Sequence, residues 1–286
     1  MKYCISILFF LIISLPTRSQ TVEIAAELRL VNEKSCSGYV SKLSLPASKV
    51  ANYLKKWLSD YGKNEGKKKT YAYYEAKVIG MTELVSIYAQ IDKNGKESSE
   101  VWLGILNGKG ESHNEARKML YDLVLHIYLT EADKAIADAQ RDYDKAMNEG
   151  IALTDKLQAN GTNKIKFQSD LEKAKHEEEK LERHLEHAKK KTERLKEALN
   201  NVLTSNNNPS AIEKAQDHYD KAINAQSKLE KQYTNIISDK QKLQLKLVEN
   251  QSDKTQLEAA IAQNAQAQIQ LKQALENAKQ ARTQIR

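Results

Sequence analysis

Three histidines, His176, His184 and His187, come nearest in type to a metal-ligand set, and the last two have the i, i+3 spacing that puts two imidazoles on one helix face. In the heptad register of their segment, however, all three fall at outer positions among Glu and Lys, which is the pattern of a solvated helix face. Lys189-Lys190-Lys191 lies between Glu186 and Glu193 and reads the same way, because a phosphate-tracking stripe needs unbroken positive charge and stacking aromatics. No phosphate-cradling glycine loop, nucleophile elbow or Cys/His zinc pattern occurs. The sequence therefore offers no catalytic, cofactor-binding or metal-binding residues and reads as non-enzymatic, with no cofactor. The side chains best suited to recognition are the aromatics Trp57, Tyr71, Tyr73 and Trp102, which anchor protein partners where exposed but more often fill a core.

The elements that must position these residues follow from composition and periodicity. Of the 286 residues, 40% are hydrophobic and only 6% aromatic, too few aromatics for one large core, while 29% are charged with the signs interspersed. Gly and Pro are scarce in the C-terminal two thirds, so that part reads as long helices. Removal of Lys2 and Arg18 with a leader would take two charges from the formal +7, leaving mild basicity that does not indicate nucleic-acid binding.

The first 19 residues read as a signal peptide. Lys2 opens it, Tyr3 to Leu15 form an apolar run, and Thr17 and Ser19 are the small residues that favour cleavage before Gln20. The run is shorter than the roughly 20 residues that span a bilayer, so no stable membrane span is expected after cleavage, although retention as an anchor stays open. Cys4 begins the apolar run and does not follow a small-residue box, which excludes lipid attachment. Cys36 is then the one cysteine of the processed chain and can make no internal disulfide.

Residues 20–111 read as a small α+β head of β-α-β-β-β order. Tyr39 to Leu45 is a strand, and Pro46-Ala47-Ser48 opens a helix whose apolar face is Val50, Tyr53, Leu54, Trp57 and Leu58, ending near Gly62. Thr70 to Ile79 is a second strand. Val85, Ile87, Ala89 and Ile91 alternate with polar neighbours, and Asn94-Gly95 predicts a tight hairpin returning through Val101 to Leu106. The basic loop Lys63 to Lys69 reads as a solvated turn. A helix starting near Ser112 closes the head.

Two long arms follow, 112–204 and 210–286, joined by a turn at 205–209 that ends in Asn208-Pro209. With Leu129 as position a, the a and d positions continue unbroken to Val202, and a second series runs from Ile212 to Ile285, which predicts coiled coil. Ser210 to Glu213 has the form of a capping box. The short turn favours an antiparallel hairpin, with Leu171 opposite Leu243, Gly150 opposite Asn264, Lys164 opposite Asn250 and Asn160 opposite Lys254. A second turn at Asn160-Gly161, pairing of the arms between chains, and dimerisation on top of the hairpin all stay open.

The leader end Ser19-Gln20-Thr21, the run Gly38-Tyr39-Val40 to Leu45-Pro46, the stretch Val50 to Tyr61-Gly62-Lys63, the strand Val85-Ser86-Ile87-Tyr88-Ala89 and the Lys/Glu heptads resemble a family of uncharacterised exported proteins of Bacteroidota. The resemblance implies a periplasmic or surface location and supplies no activity. Because the heptads continue to Arg286 with no β-domain after them, the periplasm is the expectation. Three functions remain: a structural or adaptor protein whose head binds a protein partner in the envelope, a holdase chaperone with coiled-coil arms, and a ligand-binding or enzymatic head.

Overall fold

The computed structural model describes residues 21–66, 70–107, 110–111, 113–205 and 208–285. The expected leader, its cleavage point, the end of the basic loop at Lys69, the helix start at Ser112 and the turn residues Asn206 and Asn207 lie outside them. Among the described residues no helix is long and apolar enough to cross a membrane.

The head has the expected strands and helix, with one strand more at its beginning. β1 (Ala25–Val31) and β2 (Lys34–Leu43) form a hairpin, followed by α1 (Ala47–Leu58) and a 3-10 turn (Ser59–Tyr61). β3 (Thr70–Ala76), β4 (Val85–Lys93), β5 (Ser99–Asn107) and a two-residue β6 (Gly110–Glu111) come next. The sheet order is β1-β2-β5-β4-β3, antiparallel throughout, with β6 pairing β5. The β1–β2 turn consists of Asn32 and Glu33 alone, both at positive φ, as a two-residue hairpin of matching twist requires. The β4–β5 connection is wider than the tight Asn-Gly hairpin expected. Lys93 pairs Ser99, and Asn94 N–H bonds Ser98 O at 3.0 Å around the positive-φ Gly95, so the loop holds five residues.

Alternation decides which side chains go inside. On β4, Val85, Ile87 and Ala89 join Val101, Leu103 and Ile105 of β5 and Val50, Leu54 and Leu58 of α1 in one buried cluster. The start of α2 (His113–Ser205) completes it with Leu120, Leu123, Val124 and Ile127. Each such large apolar side chain contributes about 1.5–3 kcal/mol on burial.

The opposite face of the sheet has a smaller core of its own around Trp102, which has no solvent exposure. The indole lies over Gly38 and Gly104, where an added Cβ would come within 2.5 and 2.6 Å of ring carbons. β1 roofs this face. Trp102 Nε1–H donates to Glu27 O at 3.0 Å, and the Arg29 guanidinium stands 6.0 Å from the ring centroid. Gln90 of β4 donates to Leu30 O at 3.3 Å and Arg29 reaches Asp92 at 2.6 Å, across an interval of three strands that would measure about 14 Å in a flat sheet. The sheet is therefore strongly curled, and the first strand covers the face that the helices leave open.

α2 and α3 (Pro209–Thr283) form the expected helical hairpin. α2 passes through Asn160-Gly161 without interruption, so there is no second turn. α3 starts one residue before the expected cap. Asn208 Oδ1 accepts from Ser210 N–H at 3.1 Å and Pro209 takes the first helical position, where its missing N–H costs nothing. The chain divides into two compact units, one ending at Asp144 and resuming at Ile269, the other spanning Lys145–Gln268. In the first, Leu271, Leu275 and Ala278 are buried, Arg282 pairs with Asp133, and Ile285 packs against the head core.

In the second unit, burial repeats at the expected seam positions. Gly150 faces Asn264 as expected, since a Cβ there would lie 2.7 Å from Asn264 Oδ1. Asn160 and Asn250, expected in neighbouring layers and each opposite a lysine, bond to one another across the seam: each side-chain amide donates to the other's backbone carbonyl at 3.0 Å. A lysine at such a layer extends its ammonium to water, whereas an amide can use the second lone pair of a helical carbonyl. Lys254 accordingly reaches Glu258 on its own helix, and the seam residues Glu178 and Lys240 form an ion pair.

Candidate partner-binding surface of the head

The four aromatics singled out for recognition separate on burial. Tyr73 (2% exposed) and Trp102 (0%) lie in the two cores of the head, and a side chain without solvent exposure offers no contact to a partner. For these two the expectation is corrected: alternation on β3 sends Tyr73 toward α1, and the β1 roof encloses Trp102. Trp57 and Tyr71 are half-buried at the edge of the helix-side core.

Trp57 sits on the last turn of α1, and its ring is tilted 46° to that of Tyr61 at 5.7 Å. Tyr61 belongs to the 3-10 turn that ends at Gly62, where φ is +130°. Tyr71 comes from β3, and the Lys55 ammonium stands 5.9 Å from its ring centroid. Burial raises both tyrosine hydroxyls above their ordinary range, with Asp122 and Asp60 adding to the effect at Tyr61, so both are neutral donors at physiological pH. The segment after Gly62 is stitched to the edge of β3. Asn64 Oδ1 accepts from Gly66 N–H at 3.0 Å and Ala72 N–H at 3.1 Å, while Glu65 N–H donates to Ala72 O at 2.8 Å. These bonds occupy part of an otherwise open strand edge.

Trp57, Tyr61 and Tyr71 thus present apolar ring surface and polar tips from rigid elements. Aromatics held this way lose little rotamer freedom on binding, which suits them to anchor a protein partner. Tyr61 was missed in the sequence because it follows the helix; its i, i+4 spacing from Trp57 was the available signal.

A second cluster was also missed. Glu131 of α2 accepts from Lys49 and from the Tyr53 hydroxyl of α1. Burial alone would push the Glu131 carboxyl up, but the bonds from Lys49 and Tyr53 hold it below its ordinary range. Tyr53 is pushed up to about 12 by burial and by its bond to the carboxylate. The three groups clamp α1 onto α2. Lys49 and Tyr53 share a helix face, but nothing in the sequence ties them to Glu131. His176, His184 and His187 are exposed on α2.

The chain matches no protein-family model and no curated protein.

Proposed function

We propose that this chain is a non-enzymatic exported adaptor of the cell envelope, resident in the periplasm, whose head binds a folded protein partner while the helical hairpin serves as its structural arm. The observation that carries the reading is that the aromatics Trp57, Tyr61 and Tyr71 are only half-buried at the edge of the helix-side core, Trp57 against Tyr61 and Tyr71 beside Lys55. A surface of this kind retains exposed ring area only at the cost of hydration.

The test is photo-crosslinking in cells from a reactive amino acid placed at Lys55, beside Tyr71. One adduct of defined mass, lost in the Trp57→Ala/Tyr71→Ala variant whose head still melts cooperatively, supports an adaptor. A smear of many adducts, together with suppressed aggregation of unfolded outer-membrane proteins by the purified chain, would assign it to the holdases instead.

A further inference from the structure

The outer surface of the hairpin is not symmetric. Within Lys145–Gln268 the large apolar side chains left exposed are Met147, Ile151, Ile165, Leu203, Ile223, Leu245 and Val248. With the seam at a and d, Met147, Leu203 and Ile223 are e positions, Ile151, Ile165 and Val248 are b, and Leu245 is f. In an antiparallel pair the e and b positions of both helices lie on one side of the seam and the g and c positions on the other. Every one of the seven therefore avoids the g/c side, which in its middle part carries Lys145, Glu149, Lys156, Lys166, Asp170 and Lys246.

The middle of the e/b side is also almost free of charge. From Met147 to Gln168 on α2 it reads Met147, Ile151, Thr154, Gln158, Gly161, Ile165 and Gln168. From Gln244 to Ala265 on α3 its one charged residue is Glu258, which Lys254 neutralises at 3.5 Å. A basic chain can approach another copy of itself only where like charges do not meet. An anionic lipid surface, by contrast, requires Lys or Arg on the contact face.

The spacing points to the occupant. Ile151 and Ile165 stand one heptad to either side of Gln158, and Val248 and Ala262 one heptad to either side of Thr255. Turned end for end about Gln158, Ile151 of one copy meets Ile165 of the other, and Val248 meets the small residues Ala262 and Ala265, which leave room for it. Self-matching under a half-turn is what an isologous contact requires. We propose that a second copy of this chain packs end for end against this side, making a four-helix contact with Gln158 on its dyad.

The test is light scattering on the full processed chain. The wild type is expected at dimer mass and Ile165→Glu/Val248→Glu at monomer mass, with dimer affinity lowered roughly a hundredfold or more by four buried charges and unchanged helix content. Lys156→Glu/Lys166→Glu on the other side should remain dimeric. In a Cys36→Ser background, Gln158→Cys should give a covalent dimer on oxidation and Lys156→Cys should not. A monomeric wild type, a dimer that survives Ile165→Glu/Val248→Glu, or a Gln158→Cys chain that stays uncrosslinked would overturn the proposal.

Discussion

Asn160 and Asn250 hold the two long helices together through each other's main chain: each amide donates to the other residue's backbone carbonyl at 3.0 Å, and both residues are buried. Neither helix spends a carbonyl on this, because each oxygen still has a lone pair for its own helix.

Because each acceptor is main chain, each amide should contribute on its own. Asn160→Leu removes the bond from the Asn160 amide but leaves the carbonyl of residue 160 in place for the Asn250 amide, and should destabilise the hairpin by about 1 kcal/mol. Asn160→Leu/Asn250→Leu should lose about the sum of the two single effects. Urea unfolding of the single and double variants, read as a cycle, checks this; a double variant as stable as a single one would show that the two amides depend on one another.

The two glycines of α2 should respond to alanine with opposite signs. Gly161 faces open space, so Gly161→Ala should stabilise by about 1 kcal/mol through helix propensity alone. At Gly150 the new methyl would meet Asn264 Oδ1 and Gln268 Nε2, both at 2.7 Å, and displace amides that donate to Ala146 O at 3.1 and 3.3 Å. Lost hydrogen bonds of about 1 kcal/mol each should outweigh the propensity gain. Thermal melts by circular dichroism distinguish the two.

The clamp of Lys49, Tyr53 and Glu131 should make the head sensitive to pH at both extremes. A carboxyl held low in the folded state contributes stability above its unfolded range and loses it as pH falls through the folded value. A phenol held at about 12 contributes below its unfolded value and loses its effect as pH rises toward 12. Melting temperature against pH should flatten at the acid end in Glu131→Gln and at the alkaline end in Tyr53→Phe. An unaltered profile in both variants would mean that the clamp does not couple to folding.

Gly38→Ala should disrupt the head. The added Cβ would lie 2.5 Å from the Trp102 ring and 2.6 Å from Leu103 O, and neither the enclosed indole nor the backbone can give way cheaply. A loss of roughly 1–3 kcal/mol is expected. Tryptophan fluorescence during denaturation should show it as an earlier transition.

Much of this was legible in the residues. Heptads from Leu129 and from Ile212 marked both long helices and their seam, and the alternation from Val85 to Ile91 marked the inward face of β4. β1 was not legible, because its pattern is inverted. Leu28 and Leu30 are 69% and 72% exposed, while Arg29, at 11%, points inward to Trp102. A rule that sends leucine in and arginine out reads such a strand as loop.

The sequence by itself determined the local elements and the faces they bury, since side-chain direction repeats every two residues in a strand and about every 3.6 in a helix. Only the tertiary structure decided which polar groups meet: Asn160 with Asn250, Glu131 with Tyr53, and the backbone of Glu27 with Trp102. A buried polar group accepts any partner of the right chemistry within reach, and that reach is set by how distant parts of the chain curl together.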